Sequence, residues 1–514
     1  MKRVICWSFL LLVSTVSCNV TRHGGTKDDG KITVTFLQIN DVYEIAPLSG
    51  GAEGGMARVA TLKKKYLKKN PNTFLVIAGD FLSPSVYNSL KFEGKAIRGK
   101  QMVEAMNSAG MDYAIFGNHE FDIKESELQE RINESDFQWI SSNTFHKIND
   151  SIVPFVKIQN GLTSPFPATF VKTVKDADGT SAKIGFIALT LPFNKAAYVS
   201  YSDPLATAKK LYNQIKDSVD AVIAITHQAM EDDEILAQQI PGLAMIIGGH
   251  EHDGRFEKIG NIYITKALAN AKSAYTINLT INKKRHTLQV DPKLEIVDQN
   301  ISPDSATNAV VQKWQTIASN SYSSLGFNAT EVILKSGEPL DARETEIRSH
   351  PTDFTRIVVK AIEEAAPLAN VVLMNAGSIR LDDQLQMPVT QYDIIRSLPF
   401  GGGIREVDMK GMLLIQVLNN GKNNVGNGGF LLYNDSLQFD KNSNGWILNG
   451  SALDPQKTYR VALAEFLLTG GEANLGFLNM NNTDIVKVYD AETNTGNPLS
   501  DVRIAIINYL KTQK

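Results

Sequence analysis

The sequence predicts an α/β layered core. Strand-like runs recur along the first 300 residues, and each ends in polar residues. Amphipathic helical stretches lie between several of them. The runs are too apolar to have one face in water, which suits sheets covered on both sides.

The elements follow in order. Residues 1–18, MKRVICWSFLLLVSTVSC, read as a leader: Lys2 and Arg3 start it, and Val4 to Val16 form an apolar core short for a bilayer span. The chain has two cysteines, Cys6 and Cys18, both here. Cys18 sits where a bacterial lipoprotein would be cut and acylated, after the small Ser17. Thr15 matches that pattern less well than an aliphatic residue would, and a plain secretory signal with an incidental cysteine is the alternative. Residues 19–30 are polar and read as a tether. Strand runs follow at KITVTFLQIND, NTFLVIAGD, DYAIFGNHE, KIGFIALT, DAVIAITHQ and LAMIIGGHEH. Helical patterns lie at Met56 to Lys69 and in GKQMVEAMNSAG. The pattern weakens after Asp291. Residues 300–325 read as a connector with a helix around Ala306 to Ser319, and a segment of mixed periodicity runs from 326 to 514.

Composition narrows the function. Hydrophobic residues are 43% and charged residues 21% of 514, an ordinary globular balance. A net charge of −3 gives no general grip on a nucleic acid polymer. Beyond the leader no run of ~20 apolar residues is present. Without a disulfide partner the mature chain relies on packing and bound metal.

The strand ends share a feature. Asp41 ends the first and Asp80 the second. Asn118 and His119 end the third, His227 follows DAVIAIT, and His250 and His252 follow LAMIIGG. Ligand sites gather at the carboxyl ends of strands in α/β sheets. Four of the eight histidines fall in these motifs. Singly, an aspartate there is usually a turn residue and a histidine a satisfied core or surface residue. Together, two carboxylates, an amide and several imidazoles suit a pair of divalent ions, Zn²⁺ or Mn²⁺. Two such ions ~3.5–4 Å apart suit in-line phosphoester hydrolysis.

INDVYEI, GGMARVATL, VIAGDFLSPS, FGNHEFD, ITHQ and IPGLAMIIGGHEHD resemble the calcineurin-like metallophosphoesterases, and within them the N-terminal domain of the 5′-nucleotidase family. VVLMNAGSIR, SLPFGG and EFLLTGGEANLGF resemble that family's C-terminal domain. The resemblance implies a four-layer αββα domain over 31–299 and a smaller α+β substrate-binding domain over 326–514. It implies that Asp80 bridges two metals, with Asp41 and His252 on one, and Asn118, His227 and His250 on the other. His119, oriented by Asp122, would be the catalytic dyad, and Glu120 structural. Phe400 and Phe477 would sandwich a nucleobase, and Asn375, Arg380 and Arg348 would contact the nucleotide. A domain swing would carry substrate to the metals.

Three departures stand out. The first motif is usually Asp-x-His and here is Asp41-Val42-Tyr43. A phenol of pKa ~10 is a poorer ligand than imidazole. Tyr43 as phenolate, a water in its place, or a hard ion such as Mn²⁺ are the alternatives. GGEANLGF is two residues longer than the family's GGDGF, and the residues after Arg348 do not match. The expected activity is hydrolysis of a nucleoside 5′-monophosphate. Alternatives are a 2′,3′-cyclic nucleotide phosphodiesterase with 3′-nucleotidase activity, a UDP-sugar hydrolase, a thiosulfohydrolase, or a non-catalytic nucleotide-binding protein of the cell envelope (periplasm or cell surface).

Overall fold

The computed structural model describes residues 28–513. The leader with Cys6 and Cys18, and most of the tether, lie outside the described residues.

Two six-stranded sheets pack face to face in the first domain. One runs Thr287–Ile296, Ser273–Asn282, Lys31–Ile39, Thr73–Ile77, Tyr113–Ala114, Gln138–Trp139. The other runs Thr169–Lys175, Ser181–Thr190, Ala221–His227, Met245–Gly249, Ile262–Leu268, Asp253–Ile259. In the first sheet the strands from Lys31–Ile39 to Gln138–Trp139 run parallel, and Ser273–Asn282 is antiparallel to both its neighbours; in the second the middle four are parallel and both edge strands antiparallel. The strand Lys31–Ile39 shows why its sequence is apolar throughout. Val34 and Phe36 enter the core between the sheets, with Phe186, Ile223 and Ile247, while Leu37 and Ile39 face the helices. Alternate side chains point to opposite faces, and both faces are covered.

The helices Met56–Leu67 and Lys100–Ala109 cover the first sheet through Val59, Leu62, Met102 and Met106. Pro204–Ile215 and Met230–Gln239 cover the second through Leu211, Ile215 and Leu236. Asp203 caps the third of these by accepting from Ala206 N–H, and Pro204 occupies its first turn, where no donor is needed. The expected αββα order is present.

Two expectations change. The connector helix runs Ser305–Ser324, longer than Ala306 to Ser319, and it is no free link. Its Val311, Trp314, Ala318 and Tyr322 bury into the cluster that holds the first domain's helices. Their three- and four-residue spacing made the helix legible but not its partner. The third strand shrinks to Tyr113–Ala114, because the chain must turn at Gly117 to bring Asn118 inward. The hairpins Thr144–Ile148 with Ser151–Val153, and Val156–Gln159 with Leu162–Pro165, had no clear sequence signal.

The second domain is a mixed five-stranded sheet: Leu431–Tyr433, Val371–Asn375, Thr458–Ala464, Ile404–Lys410, Ile485–Val488. Helices Asp353–Ala365 and Val502–Thr512 pack on one face and Gly411–Asn423 on the other. Thr352 and Thr355 form a reciprocal cap at the start of Asp353–Ala365. Among the described residues, no helix is long and apolar enough to cross a membrane.

Candidate metal centre and substrate face

The strand ends do converge. Asp41, Asp80 and His227 are buried, and one potential ligand atom from each lies within 4.8 Å of the others. His227 Nδ1 donates to the Ala78 carbonyl at 2.8 Å, because a carbonyl can only accept. This aims Nε2 at Asp80 Oδ2, 3.1 Å away, and at Asn118 Oδ1, 3.2 Å away. The His250 ring stands edge-on to His227, with centroids 5.4 Å apart. On the other side, His252 Nε2 is 3.5 Å from Asp41 Oδ1 and 3.0 Å from the Tyr43 hydroxyl. That hydroxyl also reaches Asp80 Oδ2 at 3.2 Å. Asp80 therefore stands between two groups of side chains: Asp41, His252 and Tyr43, and Asn118, His227 and His250.

The backbone is strained to achieve this. Asp41, Asp80 and His250 have φ of 53°, 56° and 89°, a left-handed region that non-glycine residues seldom occupy. The motif glycines allow close approach. A Cβ at Gly117 would lie 2.1 Å from Asp80 Oδ1, and one at Gly249 would lie 2.2 Å from the Ala78 carbonyl oxygen.

A metal fits this donor set. Asp41 Oδ1 is buried with no hydrogen-bond partner among the described residues, and a buried carboxylate oxygen left so is costly. Tyr43 is a neutral phenol here, because burial and the Asp80 and Asp41 carboxylates push its pKa far up.

At the mouth, His119 Nδ1 lies 2.6 Å from Asp122 Oδ2, and Asn194 holds the other Asp122 oxygen at 2.8 Å. Burial pulls the His119 pKa down, but Asp80 and Asp122 more than reverse this and lift it to about 9. In the metal-free protein these two carboxylates hold the imidazole as a cation at neutral pH. Glu120 is engaged by the backbone of the motif turns. It is buried, and its carboxylate accepts from Asp80, Phe81, Leu82 and Gly117 N–H groups at 2.9, 2.7, 3.1 and 2.6 Å.

Residues 34–254 match the family model "Calcineurin-like phosphoesterase", and residues 330–480 match "5′-nucleotidase, C-terminal domain". The chain is a metallophosphoesterase of the 5′-nucleotidase family. The 5′-nucleotidase of Bos taurus is 22% identical over 473 residues, 82% of this chain and 78% of its own. A 5′-nucleotidase precursor of Thermus thermophilus shares the fold, with a TM-score of 0.65 at 20% identity over 94% of this chain and 97% of its own. A sulfate thiohydrolase, SoxB, of the same organism also shares it, at 0.61 and 16% over 93% of this chain and 94% of its own.

The metallophosphoesterase's second domain brings some expected residues together. Arg348 Nη2 is 2.5 Å from a Glu344 oxygen, and Arg380 Nη1 is 3.9 Å from the same atom. Arg380 also borders a small cavity with Tyr43 and Asn270 of the first domain, and its charge is felt at His119. Asn375 is buried and donates to Glu472 at 2.6 Å. Glu472 belongs to the lengthened GGEANLGF loop. Phe400 is 69% exposed, whereas Phe477 is half-buried against the domain core. Phe466, in the preceding turn, is 47% exposed and was not singled out from sequence.

Other contributors were missed. Asn40 donates to Asp41 Oδ2 at 2.7 Å and exchanges two bonds with the Ala267 backbone. Lys266, fully buried, pairs with Asp233 and with Glu251 and so anchors the loop that carries His250 and His252. A polar residue beside a strand-end aspartate, and a lysine inside the apolar run IYITKAL, were the available signals.

Proposed function

We propose that this metallophosphoesterase hydrolyses nucleotide phosphoesters, foremost a nucleoside 5′-monophosphate, to nucleoside and phosphate. The reading is carried by one juxtaposition: Arg380 of the second domain borders the same small cavity as Tyr43, whose hydroxyl reaches Asp80 of the buried Asp41, Asp80 and His227 cluster. Asp41, Tyr43, Asp80, Asn118, His227, His250 and His252 would hold two divalent ions, Zn²⁺ or Mn²⁺. The ions would polarise the phosphoryl oxygens and make water easier to deprotonate.

The protein's own groups do the rest. Arg348 and Arg380 offer planar forks to phosphate oxygens. Imidazolium His119 faces the charge that develops on the phosphoryl group and the leaving oxygen, and Asp122 fixes its ring. Water gives up a proton as it attacks phosphorus in line, the bond from phosphorus to the sugar oxygen breaks, and that oxygen takes a proton. Phe400 and Phe477 would stack on the base, with Asn375 at its edge; stacking is worth ~1–3 kcal/mol and tolerates different bases. The protein would sit in the cell envelope, held by a lipid on Cys18.

A substrate panel tests the activity: AMP, 3′-AMP, 2′,3′-cyclic AMP, UDP-glucose and a sulfur-carrier thiosulfonate. Fastest phosphate release from AMP supports the proposal. Preference for the cyclic, sugar or sulfur substrate would replace it with the matching alternative. Palmitate labelling that disappears in Cys18→Ser tests the anchor.

A further inference from the structure

The candidate ligands differ in what holds them. The outer nitrogen of His227 bonds to Ala78, inside the first domain. The outer nitrogen of His252 leaves the first domain altogether. It lies 3.0 Å from the Asp382 carbonyl oxygen and 3.2 Å from Asp382 Oδ2. Those groups only accept, so Nδ1 donates to Asp382, and Nε2 is the ring nitrogen turned toward Asp41 and Tyr43.

Asp382 belongs to the second domain, two residues after Arg380. It has φ of 45°, and its Oδ1 accepts from Glu344 N–H at 2.7 Å. Neighbouring Asp383 pairs with Lys272 of the first domain. Nearby, the Tyr392 hydroxyl donates to the buried Glu44 of the first domain. The loop 380–383 is thus clamped against the His252 side of the centre.

We propose that Asp382 is a positioning residue for the metal centre, supplied by the second domain. Ion binding at the Asp41 and His252 side and docking of the second domain therefore strengthen each other. The coupling is reciprocal, as linkage requires. The Asn118, His227 and His250 side stands outside it. This rests on the two-ion reading proposed above.

The test is Mn²⁺ titration of the full-length protein, following the magnetic resonance signal of free Mn²⁺, with small-angle scattering on the same samples. Asp382→Ala with Lys272→Met removes the carboxylate behind His252 and the Lys272–Asp383 pair, leaves the Asp382 carbonyl in place, and touches no ligand. Loss of an outer partner of a ligating histidine costs ~10–100-fold in metal affinity. One of two Mn²⁺ sites should weaken by about tenfold or more in the double variant, with the other unchanged. Asp382→Asn, which keeps a side-chain acceptor, should recover most of the loss. Mn²⁺ should compact the wild type and leave the double variant unaltered. Two wild-type affinities in the double variant would overturn the inference, as would equal weakening of both sites. Failure of the wild type to bind any Mn²⁺ would instead remove the two-ion reading.

Discussion

Glu120→Gln is the sharpest test of how the centre is built. Glu120 gives each carboxylate oxygen two backbone donors: Phe81 and Leu82 on Oε1, Asp80 and Gly117 on Oε2. Glutamine keeps the shape but turns one oxygen into a donor. Two N–H groups then face an NH₂ group in a site with no exposed surface. Each buried unsatisfied donor costs ~1–3 kcal/mol, so the change should destabilise the first domain by about 2–6 kcal/mol. That is a large part of a typical stability of ~5–15 kcal/mol. Asp80 is the residue so released, and metal affinity should fall with it. Urea unfolding of metal-free protein, followed by Mn²⁺ titration, measures both. A Glu120→Gln protein within ~0.5 kcal/mol of wild type, the range of neutral surface changes, would refute the reasoning.

Other outcomes are equally definite. Phe400→Ala should raise KM for AMP roughly 5- to 150-fold, the ~1–3 kcal/mol of one stacking face, with little change in kcat; a matching effect from Phe466→Ala rather than Phe477→Ala would move the second face to the more exposed ring. Tyr43→His supplies a neutral imidazole, so the preferred ion should shift from Mn²⁺ toward Zn²⁺ in reconstitution assays; an unaltered preference would take Tyr43 out of the metal's surroundings. Burial lifts the Glu44 carboxyl from 4.5 to about 7 despite its bond from Tyr392. Its contribution to stability is complete below pH 4.5 and is lost as pH rises to about 7. Metal-free Glu44→Gln should lack that decline, so wild type minus variant should fall across this window; a flat difference in unfolding midpoints would contradict the assignment.

The sequence made the centre legible because each ligand ends an apolar strand. A run such as DAVIAITH predicts both the buried strand and the place where His227 emerges. The glycines before Asp80, Asn118 and His250 were visible too, and close approaches explain them: Gly79 to His227, Gly117 to Asp80, and Gly249 to the Ala78 carbonyl. Contacts between distant segments were not legible. Nothing local tells that Trp314 belongs to the first domain's core, that Asp382 meets His252, or that Glu472 reaches Asn375. Such pairings depend on how two sheets and two domains close on one another. Phe400 shows the limit from the other side: its motif marks it, and its exposure leaves it free to meet a ligand.

The most direct measurement is phosphate release from AMP by metal-stripped protein, before and after Mn²⁺ or Zn²⁺ is restored, beside His119→Ala. The account predicts no turnover without metal, recovery with it, and a loss of about 100-fold or more in kcat for the variant, the scale of one transition-state contact. Turnover that survives metal removal, or a His119→Ala enzyme as fast as wild type, would contradict it.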